Sequence, residues 1–191
     1  HTAKCIHQLL PEKYNEALKI LLKVVTRERS KHPQFFEDMC FADYVEMYGI
    51  DYPEISIPAL GIFTQYSSSE FAVRPFIIKY PELTMKHLLE WTNHPNHHVR
   101  RFASEGCRPR LPWAIALPAF KKNPSPILPV LETLKDDESE YVRRSVANNL
   151  NDISRWAAGK GVVHPQENIL RNFVQLNSPQ KYSGKELANR Y

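Results

Sequence analysis

Two similar segments of the chain combine arginines with carboxylates. They are HHVRRFASEG at 97–106 and EYVRRSVANN at 140–149, and each contains Val-Arg-Arg near its start. The arginines in and beside these segments are Arg100, Arg101, Arg108, Arg110, Arg143 and Arg144. Guanidinium groups suit phosphate oxygens, so this cluster predicts contacts with a nucleic-acid backbone. The alternative is ordinary surface ion pairing with Asp136, Asp137, Glu138 and Glu140.

Carboxylates in the same region require a different partner, because Glu105 and Asp152 would repel phosphates. On a helix over 138–154, Arg144, Asn148 and Asp152 stack at intervals of four, on a flank that the apolar residues leave open. A base alkylated on a ring nitrogen is cationic, and its sugar becomes oxocarbenium-like as the glycosidic bond breaks. A carboxylate about 4 Å from such a cation stabilises it by about 4 kcal/mol at an effective dielectric of 20. That energy corresponds to roughly a thousandfold in rate.

The elements that carry these residues are predicted to be helices, because apolar residues recur at intervals of three and four. Six glycines against 15 prolines, with little apolar alternation, also argue against a sheet protein. The predicted helices cover 12–29, 33–49, 53–66, 69–80, 82–93, 96–106, 112–122, 125–135 and 138–154. The fold class is therefore all-α.

The two Val-Arg-Arg segments superpose with a constant offset of 43 residues. This period is typical of HEAT repeats, and each copy follows an acidic or Asn-Pro turn. Chance similarity between two amphipathic helices is the alternative. A true repeat predicts a HEAT-like helical solenoid, an α-α superhelix in which equivalent positions form one continuous surface.

Composition limits the remaining possibilities. The 191 residues predict one domain, and the net charge of +4 alone does not identify a polyanion-binding protein. Cys5, Cys40 and Cys107 are far apart and lack metal-binding spacing, which fits a reducing cytosol, and no apolar run is long enough to cross a membrane. The chain begins at His1 without a methionine, so we expect a trimmed or partly ordered form of a longer product.

Three longer motifs closely resemble one family. They are SSSEFAVRPF at 67–76, HPNHHVRRFASEGCRPRLPW at 94–113 and LKDDESEYVRRSVANNLNDIS at 134–154. They resemble the AlkC branch of the HEAT-like DNA alkylation repair glycosylases, over about residues 34 to 155. The resemblance implies a cytoplasmic enzyme of base excision repair that excises bases such as 3-methyladenine and 3-methylcytosine from double-stranded DNA. It also implies monofunctional hydrolysis without a metal or other cofactor, by a monomer.

Position by position, the resemblance also implies site residues. Asp152 matches the aspartate near the sugar that orients or activates water, and Glu70 and Glu105 match acidic residues of the same pocket. Trp113 matches the aromatic wall, where an indole face would contact a cationic base.

Each of these residues also has a purely structural interpretation. Glu70 could be a first-turn acid favoured by the helix dipole. Asp152 could bond Arg144 or Arg155, and Trp113 could be a core aromatic.

The histidines at 87, 94, 97 and 98 lack a carboxylate or cysteine that would complete a metal site, so surface histidines are the expectation. We expect the glycosylase domain to cover 1–155, followed over 156–191 by a loop, a short helix and a mobile tail. The alternative functions are a non-catalytic binder of DNA structure and a HEAT scaffold that contacts protein partners through the aromatic helix 34–48.

Overall fold

A computed structural model describes residues 2–28 and 39–159, without the side chains of 27, 28 and 155–159. Within these ranges the chain folds into ten α-helices and one 3-10 turn, with no strand. The helices are α1 Thr2–His7, α2 Tyr14–Glu28, α3 Met39–Tyr48, α4 Pro53–Phe63, α5 Arg74–Lys79, α6 Pro81–Trp91, α7 His97–Gly106, α8 Pro118–Lys122, α9 Leu128–Leu134 and α10 Glu140–Gly159. The predicted all-α class is confirmed.

Two predicted helices begin later than their sequence patterns suggested. The segment predicted as 69–80 is helical only from Arg74, where Pro75 lies in the first turn. The segment predicted as 112–122 is helical only from Pro118, because proline disfavours helical geometry at the preceding Leu117. Glu70 and Trp113 therefore lie in connections, and Glu70 is not a first-turn acid of its helix.

Other predictions fall partly outside the described residues. The helix predicted from 33 is described only as α3, in which Tyr44 and Val45 are buried. One side of this part of the proposed protein-binding helix packs inward, whereas Met47 on the other side is 45% exposed. The last helix continues to Gly159, and the predicted tail from 160 onward lies outside the described residues. The domain boundary at 155 remains a prediction.

The 43-residue repeat is visible in its contacts. Arg100 Nη1 donates to the carbonyl oxygens of His94 and Pro95, at 3.0 and 2.9 Å. In the next copy, Arg143 Nη1 donates in the same way to the carbonyl oxygens of Asp137 and Glu138. In each copy the first arginine closes the turn that precedes its helix. These contacts recur at the spacing of the sequence repeat, so chance similarity does not explain it.

Adjacent repeats pack directly against each other through α7 and α10. Asn149 Nδ2 donates to the Ser104 carbonyl at 2.9 Å, and the Ser145 and Ser104 hydroxyls lie 3.1 Å apart. These small polar side chains bring the two helices close together beside a continuous apolar core that includes Phe102 and Val142. None of the helices in the described part of the chain is both long and apolar enough to cross a membrane.

Phe102 tests how far the fold depends on this core. Its side chain is fully buried, and its ring centroid lies 5.3 Å from that of Trp91. We expect Phe102→Ala to lower the free energy of unfolding by about 3 to 5 kcal/mol, measured by urea denaturation, because it leaves a cavity. Ile78→Ala is the control, because Ile78 is 57% exposed. Equal losses in the two variants would contradict this description of the core.

Candidate active site

Arg101 joins two of the three predicted carboxylates. Glu70 lies in the turn before α5, and Glu105 lies one helical turn after Arg101 on α7. Arg101 Nη1 is 2.9 Å from Glu70 Oε1, and Nη2 is 3.6 Å from Glu105 Oε1. One guanidinium therefore brings together two acids that are 35 residues apart in the sequence.

Arg108 joins the third carboxylate to the same group. It lies two residues after the end of α7, and its Nη1 lies 2.6 Å from Glu105 Oε1. Its Nε lies 2.9 Å from Oδ2 of Asp152, which projects from α10. We call Glu70, Arg101, Glu105, Arg108 and Asp152 the carboxylate network. The structure thus brings together all three carboxylates that the sequence analysis selected.

The carboxylate network is largely shielded from water. Its five side chains are between 6% and 14% exposed, and Arg101 and Asp152 are at the upper limit with 14%. Three carboxylates and two guanidiniums leave one net negative charge. Burial lowers the pKa of Arg101 and Arg108, but the neighbouring carboxylates outweigh burial and raise both pKa values above normal. Both arginines are firmly cationic.

The carboxylates of the network differ in how many of their oxygens have a partner within the protein. Glu105 Oε1 contacts both arginines, and Oε2 accepts a hydrogen bond from the Ser145 hydroxyl at 2.5 Å. Glu70 uses Oε1 for Arg101, whereas its buried Oε2 has no hydrogen-bond partner among the described residues. Glu105 is therefore placed to organise the others, and Glu70 retains an acceptor.

Arg74 lies beside this network and was missed by the sequence analysis. Its side chain is fully buried and donates through Nε to the carbonyl of Ile115 and through Nη1 to that of Gly106. Burial lowers its pKa to about 10, so it remains cationic at neutral pH. Arg74 ties both ends of the connection 107–117 to the protein interior. The sequence pattern gave no indication that this arginine is buried.

Trp113 lies in the connection that Arg74 fastens. Its side chain is 99% exposed, and its φ of 63° is rare for a bulky residue. It is therefore not a core aromatic, and it does not form a closed pocket wall with the buried carboxylates. Its connection does meet the network, because Arg108 belongs to both.

The remaining predicted DNA-binding arginines have different surroundings. Arg100 forms a buried ion pair with Asp137 and also contacts Glu138, and Arg144 pairs with Glu140 in solvent. These are the ion pairs that were the alternative to phosphate binding. Arg110, Arg143 and Arg144 are exposed, and their role as phosphate contacts stays a prediction.

Asp152 and the histidines also have defined neighbours. Asp152 pairs with Arg108 rather than with Arg144, and the Arg155 side chain lies outside the described part. His97 and His98 contact Tyr141. No group of three or more His, Cys, Asp or Glu residues within the described ranges could hold a metal ion.

Removing Arg108 tests whether the network depends on its cations. We expect Arg108→Met to lower the free energy of unfolding by about 3 to 5 kcal/mol, because Glu105 and Asp152 would lose a buried counter-charge. Arg144→Met is the matched control, because the Arg144–Glu140 pair is exposed at 67% and 73% and is worth less than about 1 kcal/mol. Equal urea midpoints for the two variants would contradict the assigned role of Arg108.

Comparison with known proteins gives two close relatives. The chain is 55% identical over 150 residues to the uncharacterized protein YhaZ of Bacillus subtilis (strain 168). The aligned region covers 78% of the chain and 41% of that protein. The solved structure of Pseudomonas fluorescens alkylpurine DNA glycosylase AlkC, bound to DNA containing an abasic site analog, matches with a TM-score of 0.74 and 34% identity. No family model matches the sequence.

The structural match covers 92% of this chain and 49% of the AlkC chain. The matched region therefore covers less than half the length of either relative. Both the helical fold and a substantial part of the sequence are shared over nearly all of its residues. The chain is therefore AlkC-like in both fold and sequence.

Proposed function

We propose that the chain is a DNA glycosylase that hydrolyses the N-glycosidic bond of cationic alkylated bases, such as 3-methyladenine and 3-methylcytosine, in duplex DNA. The observation that carries this proposal is the convergence of Glu70, Glu105 and Asp152 in one network. The similarity of the chain to an alkylpurine DNA glycosylase supports the same activity.

The proposed reaction uses the positive charge of the lesion. As the bond between C1′ and the base nitrogen breaks, its electron pair moves to the base, which leaves as a neutral molecule without protonation. Positive charge then develops on the sugar, where a fixed carboxylate stabilises it electrostatically. Water attacks C1′ and releases its proton to a carboxylate or to solvent.

We assign distinct roles to the acids. Asp152 stabilises the sugar cation and orients the water, because it is the most exposed of the three carboxylates and lies at the edge of the network. Glu70 contributes a second negative charge towards the cationic base, although its unpartnered Oε2 is buried in the structure. Glu105 fixes both arginines and thereby sets the positions of the other two acids.

DNA contact is assigned to exposed groups. Trp113 is available to contact the cationic base, an attraction of roughly 0.5 to 2 kcal/mol. Arg110, Arg143 and Arg144 would contact backbone phosphates from the surface. Arg100, Arg101 and Arg108 are engaged by carboxylates, so we expect them to support DNA binding by holding the site in place.

Asp152→Asn tests the catalytic assignment. We expect single-turnover release of 3-methyladenine from methylated duplex DNA to fall by roughly a hundred- to a thousandfold, because the side chain keeps its shape and loses its charge. Asp51→Asn is the matched control, because Asp51 is 73% exposed and pairs with Lys79, which is not a member of the network. The assignment of Asp152 is wrong if the variant releases base as fast as the wild type. If the wild type releases no base, the alternative function of a non-catalytic DNA binder is favoured instead.

A salt series tests the proposed phosphate contacts. The logarithm of the DNA association constant falls linearly with the logarithm of the salt concentration, with a slope of about −0.9 per phosphate contact. Arg110→Ala should therefore make this slope less negative by about 0.9. Lys13→Ala serves as a control from the segment before α2. Fluorescence anisotropy with undamaged duplex DNA measures both variants. A wild-type affinity that does not change with salt would favour a scaffold for protein partners.

A further inference from the structure

Arg101 holds the network together, yet an arginine side chain has several rotatable bonds. Its two terminal nitrogens form ion pairs with Glu70 and Glu105. On another side lies a small polar pocket lined by Thr64, Ser67, Ser68, His98, Arg101 and Tyr141. The hydroxyl groups of this pocket could accept hydrogen bonds from a guanidinium that turned away from the acids. The ion pairs with Glu70 and Glu105 favour the observed orientation, and a contact on the side of the pocket would add to them.

Tyr141 supplies such a contact from the neighbouring repeat. The guanidinium carbon of Arg101 lies 5.1 Å from the centroid of the Tyr141 ring. A cation over an aromatic face at a partly exposed site is favoured by roughly two- to fivefold in an equilibrium constant. Tyr141 belongs to the first turn of α10, so this contact couples α10 to α7.

The Tyr141 ring is itself held in place by two histidines. His98 and His97 lie edge-on to it, with centroid distances of 5.9 and 6.3 Å and interplanar angles of 71° and 81°. Tyr141 is nevertheless 42% exposed, so it contributes little to the apolar core. Its strongest charged contact is with Arg101.

We propose that Tyr141 is a positioning residue that holds the Arg101 guanidinium between Glu70 and Glu105. It acts on catalysis only through Arg101, and its aromatic ring rather than its hydroxyl group is required. This role rests on the proposed glycosylase function, because the positions of Glu70 and Glu105 matter for a cationic lesion.

Substitutions at Tyr141 separate the ring from the hydroxyl group. We expect Tyr141→Leu to lower the single-turnover rate of 3-methyladenine release by about tenfold, because small displacements of positioned groups slow catalysis. DNA affinity and thermal midpoint should stay close to those of the wild type. Tyr141→Phe keeps the ring and should retain the wild-type rate. An unchanged rate in Tyr141→Leu, or equal loss in both variants, would overturn the proposal.

A second measurement is independent of base release. The order parameter of the Arg101 Nε–H group, assigned by its loss in Arg101→Lys, should fall in Tyr141→Leu and persist in Tyr141→Phe. An unchanged order parameter in Tyr141→Leu overturns the positioning role even if the enzyme is active. If the wild type releases no base while the order parameter falls as expected, the glycosylase proposal fails and the hold of Tyr141 on Arg101 stands.

Discussion

Buried carboxylates from different helices can share a site only when cations compensate their charge, and this requirement organises the centre of the molecule. Arg101 and Arg108 each bridge two acids, and Glu105 contacts both arginines. Removing either charge type alone would leave the other uncompensated in a shielded environment. The turn before α5, helix α7 and helix α10 are therefore fixed relative to one another by electrostatics as well as by apolar packing.

The repeat shows how one sequence motif acquires two uses. The first arginine of each Val-Arg-Arg closes the preceding turn, as Arg100 and Arg143 both do. The second arginine differs between the copies, because Arg101 meets Glu70 whereas Arg144 pairs with Glu140 in solvent. Equivalent positions in a helical array thus share their backbone role, while the neighbouring segment decides whether a side chain is buried.

The connection between α7 and α8 is anchored to the protein interior but carries an exposed tryptophan. Arg74 holds it at Gly106 and Ile115, and Trp113 projects fully into solvent with a left-handed backbone. Such strained, exposed aromatics persist only when the surrounding structure fixes them. The connection that supplies Arg108 to the network therefore also presents the indole to solvent.

The sequence by itself determined the helical class and the 43-residue repeat, because periodicity and motif spacing are local properties. The three acids of the network were selected with the help of the resemblance of their motifs to a known family. It did not determine that Arg101 also pairs with Glu70 or that Arg108 pairs with Asp152, since these partners come from segments distant in the chain. Nor did it show that Arg74 is buried while Trp113 is exposed, which reverses the usual preference of both residue types. Only the packing of α5, α7 and α10 decides which charges meet and which side chains reach solvent.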